Sequence, residues 1–242
     1  MKQTILFLRS LLFYIGYGPV LILFSTISCT IGLLMPYRMR QEVVTWANTI
    51  IVIWLKWSCG IKLKVEGKEN IPKTPSVIVA KHQSSWETYY LQRLFRPVST
   101  VLKRELFKVP FFGWGLFFMH PIAINRGSPR EAIRQVQAQG EQRLKQGNNV
   151  LIFPEGTRVA YGTTGKFARS GASLALAADV PLIPVAHNAG YCWAVGKFIK
   201  LPGTIHVVIG SPLDTADKDS RQLTKDLQKW IEDTQKTLSH TR

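Results

Sequence analysis

The sequence predicts an α/β fold: a mixed, mostly parallel sheet flanked by helices, behind an N-terminal hydrophobic, membrane-associated helix pair. Three observations predict it. Leu11 to Met35 is a 25-residue stretch without one Asp, Glu, Lys or Arg; short, nearly continuous apolar runs recur from Val77 onward; and helical patterns lie between those runs. The division this implies is an anchor over residues 1–60 and one α/β domain over residues 61–242. A chain of 242 residues and 27.4 kDa excludes a large multidomain machine.

The first apolar stretch exceeds the roughly 20 residues that span a hydrocarbon core as helix. Gly16, Gly18 and Pro19 interrupt it, which predicts a kink or a turn between two shorter helices. A second run, Val43 to Leu55, is 13 residues long with Trp46, Trp54 and Trp57 at or near its ends, the length of an interfacial or re-entrant helix. Lys2 and Arg9 precede the first run and Arg38, Arg40 and Lys56 follow it. Charge on both flanks fits a pair that enters and leaves one leaflet. A signal peptide is the competing reading, with Leu11 to Phe24 as its apolar core, but no A-x-A site follows and Thr26-Ile27-Ser28-Cys29 imitates a lipoprotein cleavage sequence poorly.

Strands are predicted at Val77–Ala80, Thr100–Leu102, Ile122–Ile124, Val150–Phe153, Leu182–Val185 and His206–Ile209. A helix is predicted from Pro129 to Gln146: Ser128 and Glu131 have capping-box spacing, Pro129 is the first helical residue and Gly147 the stop. Others are predicted near Ser170–Ala178 and at the C-terminus, where Leu223, Leu227, Trp230, Ile231 and Leu238 share one side.

Hydrophobic residues at 46% and charged residues at 19% exclude general disorder. Cys29, Cys59 and Cys192 are too few and too far apart for a disulfide framework or a zinc cluster, and fit a reducing compartment. Net charge is +16, and residues from Ile61 onward hold 26 of the basic and 14 of the acidic side chains. An anionic partner follows, whether nucleic acid, lipid headgroup or phosphorylated small molecule.

Chemistry concentrates at strand exits. His82 lies at the end of the Val77–Ala80 strand and Glu87 follows five residues later. Residues five apart on a helix differ by about 140° and about 7.5 Å, so a pair needs His82 off the helix and Glu87 in its first turn. A carboxylate there would hold the imidazole's tautomer and stabilise the imidazolium formed on accepting a proton. Phe153-Pro154-Glu155-Gly156-Thr157-Arg158, after the Val150–Phe153 strand, resembles an anion-binding turn, with a Gly, a hydroxyl and a forked cation. Asn125-Arg126-Gly127 and Lys103-Arg104-Glu105-Leu106 put further cations at strand exits. Taken singly, a structural His, a surface turn and solvated cations explain these residues as well. There is no G-x-S-x-G, P-loop, G-x-G-x-x-G or H-E-x-x-H, which argues against standard serine hydrolases, NTPases, Rossmann enzymes and zincins.

Together and in order, four blocks resemble the glycerolipid acyltransferase family, specifically the 1-acyl-sn-glycerol-3-phosphate acyltransferases of the bacterial PlsC type: His82-Gln83-Ser84-Ser85-Trp86-Glu87, Pro121-Ile122-Ala123-Ile124-Asn125-Arg126, Phe153 to Arg158, and Val180-Pro181-Leu182-Ile183-Pro184-Val185. The resemblance implies that His82 is the general base on the free hydroxyl of lysophosphatidate, with an acyl thioester of coenzyme A or acyl carrier protein as donor. It implies that Glu87 orients the imidazole, that Lys103, Arg126, Glu155, Gly156, Thr157 and Arg158 hold the acceptor and its phosphate, and that the fourth block shapes the donor side. No metal or redox cofactor is implied. The partners implied are these substrates and membrane lipids, not nucleic acid, and the place is the inner (cytoplasmic) membrane with the catalytic domain on the cytoplasmic side. The family's usual carboxylate is Asp; Glu87 is longer by one methylene, about 1.5 Å. The rivals are an acyltransferase for another lysophospholipid or a lyso-aminolipid, and a non-catalytic, membrane-anchored module that binds anionic lipid.

Overall fold

The computed structural model describes residues 2–125 and 127–238. Its centre is a seven-stranded sheet of β1 (Ile61–Glu66), β2 (Val77–Ala80), β3 (Val98–Lys103), β4 (Ile122–Ile124), β5 (Asn149–Ile152), β6 (Leu182–His187) and β7 (Gly203–Ile209), in the order β1-β7-β6-β2-β5-β3-β4. All neighbours are parallel except β6 and β7. Val77 of β2 stands opposite Val150 of β5 and Leu182 of β6, so the carboxyl ends of the three strands lie together. These strands are apolar because both faces are covered.

One face packs under α1 (Lys2–Cys29), α2 (Tyr37–Cys59) and α3 (Trp86–Leu94), with Phe13, Ile51 and Leu55 in the same core as Ile78, Trp86 and Ile183. Smaller helices α4 (Phe112–Phe117) and α7 (Ala189–Cys192) lie in connections. The other face packs under α5 (Pro129–Lys145), α6 (Ser170–Ala178) and α8 (Ser220–Thr237) through Val136, Leu174, Leu223, Leu227 and Ile231. The Ser128 hydroxyl caps α5 by accepting from Glu131 N at 3.4 Å, while the Glu131 carboxylate takes Gln135 Nε2 at 2.8 Å.

Two sequence expectations change. The break expected at Gly16–Pro19 is absent: α1 runs through Pro19, which is exposed, and the chain turns instead at Thr30–Pro36, through a short 3₁₀ segment, Ile31–Leu34. Gly16 has another reason, since the Trp54 indole leaves no room there for a Cβ. The second change is β1, an edge strand with the pattern Ile-Lys-Leu-Lys-Val-Glu, whose alternation is that of a half-exposed strand rather than of an apolar run.

Among the described residues α1 alone is long and apolar enough to cross a membrane. α2 carries Arg38, Arg40, Glu42 and Lys56, and runs back along α1: Arg9 Nε donates to Ser58 O at 2.8 Å and Trp54 Nε1 to Phe13 O at 3.1 Å.

Candidate active site

Because β2, β5 and β3 are neighbours, the segments leaving them converge. β2 delivers Lys81 and His82, β5 delivers Phe153 to Arg158, and β3 delivers Lys103. His82 lies in the loop before α3 and Glu87 in the first turn of that helix, which brings His82 Nδ1 to 2.9 Å from Glu87 Oε1. The same oxygen accepts from Gln83 N at 2.9 Å and Ser84 N at 2.8 Å. Glu87 is fully buried, which alone would raise its pKa; the His82 hydrogen bond, the nearby His187 and His82 imidazoles and the Ser84 N–H outweigh this and hold it below the ordinary value. The imidazole stacks on Phe153 with ring centroids 4.3 Å apart.

His82 forms one wall of a cavity of about 140 Å³ that Lys103, Arg158, Leu102 and Phe153 also line. A second cavity beneath α1 and α2 shares Tyr89, Gln92, Phe112 and Leu116 with it, so the two adjoin across these side chains. Thr100 Oγ1, on the first cavity's wall, is buried with no hydrogen-bond partner.

The remaining sequence candidates divide. Lys103 and Arg158 both line the cavity, and Arg158 Nε is anchored to Ser84 O at 3.0 Å. Thr157 is exposed, and Gly156 turns at φ 69° with Gly156 N bonded to Phe153 O at 3.1 Å. Glu155 turns inward: its Oε2 accepts from His82 N at 3.3 Å, and burial pushes its pKa up to about 7. Arg126 lies outside the described residues. The fourth block, Val180 to Val185, enters β6, where Leu182, Ile183 and Val185 are wholly buried; it supports the site from within the sheet and does not line the cavity.

Sequence reasoning missed the residues that hold the His82 backbone. Lys81, fully buried, pairs with Glu232 of α8. His187, also fully buried, bonds Lys81 O through Nε2 at 2.8 Å and accepts Ala189 N at Nδ1 at 3.3 Å. The available signals were a Lys directly before the candidate His and a His two residues past the fourth block. Nothing local marked Glu232.

A mostly parallel sheet with a His–carboxylate pair at its carboxyl edge, beside two cations and a largely apolar cavity, has the parts of an enzyme that activates a hydroxyl. Comparison with known proteins agrees. The Acyltransferase family profile matches residues 62–188. The chain is 43% identical over 241 residues, 98% of this chain and 94% of the relative, to a Pseudomonas aeruginosa protein named 1-acyl-sn-glycerol-3-phosphate acyltransferase. A Saccharomyces cerevisiae protein of the same name is 32% identical over 151 residues, 60% of this chain and half of that relative. The fold matches the crystal structure of PlsC, the 1-acyl-sn-glycerophosphate acyltransferase of Thermotoga maritima, with a TM-score of 0.81 over 99% of both chains at 22% identity. The chain belongs to the acyltransferase family, among the 1-acyl-sn-glycerol-3-phosphate acyltransferases.

Proposed function

We propose that the protein transfers an acyl group from an acyl thioester, of coenzyme A or of acyl carrier protein, to the sn-2 hydroxyl of 1-acyl-sn-glycerol-3-phosphate, forming phosphatidic acid and a free thiol. The observation that carries this reading is the 2.9 Å contact between His82 Nδ1 and Glu87 Oε1 on the wall of the cavity. With Nδ1–H donated to Glu87, His82 Nε2 is the unprotonated nitrogen and takes the proton of the acceptor hydroxyl. The hydroxyl oxygen attacks the thioester carbon, the tetrahedral adduct expels the thiolate, and the imidazolium returns the proton to sulfur. Lys103 and Arg158 supply the cations for the acceptor phosphate, with Gly156 and Thr157 at the same sheet edge and, from the family resemblance, Arg126 completing its cradle. Glu155 positions the His82 backbone; a carboxylate aimed at the phosphate would repel it.

The same reading places α1 and α2 as a pair in the cytoplasmic leaflet of the inner membrane, with the α/β domain on the cytoplasmic side where the soluble donors are. It is supported by the contact of Arg9 with Ser58, which brings the start of α1 and the end of α2 together at the domain.

The test is acyl transfer by detergent-purified protein given lysophosphatidate and a labelled thioester. His82→Ala is expected to cut phosphatidate formation by about 10²–10⁴-fold while the fold persists. A folded wild type that makes no phosphatidate with either donor rejects the acceptor. Binding of anionic lipid without any turnover would leave only the binding module.

A further inference from the structure

The connection from β3 to β4 has two sides: Leu106, Phe112 and Leu116 line the His82 cavity, and other residues face away from it. Its helix α4 rests Gly115 on α1 and Gly113 on the Leu106–Phe107 backbone: Ser28 Oγ donates to Gly115 O at 3.0 Å, and a Cβ on Gly115 would come within 3.0 Å of Ser25 Cα. Phe112 and Leu116 turn toward the His82 cavity, and the remaining large residues face out. Phe111 is 44% exposed, Trp114 50% and Phe117 59%. This apolar surface continues that of α1, where Ile22 and Leu23 are exposed close to the same contact. Phe111, directly before α4, and His120, just before β4, hold φ values of 59° and 51°, a backbone region that non-glycine residues enter at a cost, often at ligand contacts.

At the foot of α4 is a pocket of about 420 Å³, walled by Arg104, His120 and Arg143 with Phe107 and Phe117 beside them, and with no Asp or Glu among its walls. The Nε atoms of Arg143 and of Arg40 are buried without a hydrogen-bond partner. Arg40 reaches this place from α2, donating through Nη1 to Phe118 O at 3.2 Å. The His120 ring stacks on Tyr37 with centroids 4.2 Å apart. Burial, then the charges of Arg143 and Arg40, depress its pKa. Cations thus crowd together here without an acidic partner lining the pocket, next to outward aromatic rings. Rings that enter the headgroup region and cations that meet phosphate are the two halves of a membrane-interface contact.

We propose that residues 107–121 form a second membrane contact, in which Phe111, Trp114 and Phe117 enter the bilayer interface and the pocket of Arg104, His120 and Arg143 takes the phosphate of an anionic phospholipid. The pocket shares no wall residue with the His82 cavity, and the proposal requires only that the protein is membrane-associated.

The test uses the full chain in phosphatidylcholine vesicles containing a minority of phosphatidylglycerol, with a photocrosslinking phenylalanine analogue placed at Phe117, at Leu23 of α1 as positive control, or at Ile133 of α5 as negative control. Lipid adducts are expected at positions 117 and 23 and not at 133. At 117 the adducts are expected to over-represent phosphatidylglycerol by about fivefold, the size of one cation's attraction near an anionic surface. The Arg104→Gln/Arg143→Gln double variant, with an unchanged circular dichroism melt, is expected to return the adducts to the mixing ratio while the adduct itself persists. Lipid adducts at 23 without any at 117, or adducts at 117 that join two protein chains, overturn the contact. Enrichment untouched by the double variant overturns the pocket. Enrichment erased by added inorganic phosphate assigns the pocket to free phosphate and overturns its lipid role.

Discussion

Glu87 places one carboxylate oxygen under three donors, His82 Nδ1, Gln83 N and Ser84 N, so its length is part of the site. Glu87→Asp withdraws that oxygen by about 1.5 Å from all three at once. Although Asp is the residue usual in the family, the change is expected to lower kcat by about tenfold here, on the scale of a lost oriented hydrogen bond; a variant as fast as wild type would show that α3 adjusts freely. Glu155 gives a different signal. Its carboxyl titrates near 7 in the folded chain, against an ordinary value of 4.5, so the unfolded chain releases the proton first. Stability therefore falls as pH rises from about 4.5 to 7 and is level above that. In Glu155→Gln this decline is expected to shrink, with a higher Tm than wild type at pH 8, and paired thermal melts at pH 5 and pH 8 check it. At this scale the sequence revealed His82 and its partner, because their spacing is local. It hid Glu232, which meets Lys81 across 151 positions, since pairing over that distance leaves no periodic trace.

Among the elements, strand order does most to build the site. β2 and β5 are separated by two other strands in the chain yet lie side by side, which is why the His82 and Phe153–Arg158 segments meet. Every strand that bears a site residue was legible from its apolar run, as were α5 from its capping and α8 from its periodicity; the order was not, because parallel strands buried on both faces all read alike. Pro19 misled for a related reason. A proline's effect on a helix depends on what surrounds it, and α1 presents it outward while α2 packs elsewhere. α8 links distance to chemistry, because Glu232 on it holds Lys81, the residue before His82. Glu232→Ala leaves the Lys81 ammonium buried and unpaired and is expected to cost about 3–5 kcal/mol, with kcat falling as the His82 loop loosens. A Lys81→Met/Glu232→Leu pair is expected to recover most of the stability, and chemical denaturation of the three variants separates the two outcomes. At the start of α8, Asp219 accepts Arg221 N at 2.8 Å and Gln222 N at 2.7 Å. Asp219→Ala is expected to cost about 1 kcal/mol, measured the same way, with activity unchanged.

For the whole molecule, the important fact is that anchor and domain share one core. Phe13, Ile51, Leu55 and Cys59 are each at most 1% exposed and pack with Ile78, Leu91 and Ile205. Each large apolar side chain so buried contributes about 1.5–3 kcal/mol, and together they match the 5–15 kcal/mol of net stability that a typical domain has. Residues 61–242 expressed alone are therefore expected to be insoluble or to lack a cooperative melt; a soluble, cooperatively folding fragment would show that the core closes without them. The division at residue 60, plain in composition, says nothing of this, because hydropathy does not distinguish a side chain that faces lipid from one that faces the sheet. The two helices are thus part of the folding unit: a protease that clipped them away would take part of the core with them, so loss of the helices and loss of the fold are one event.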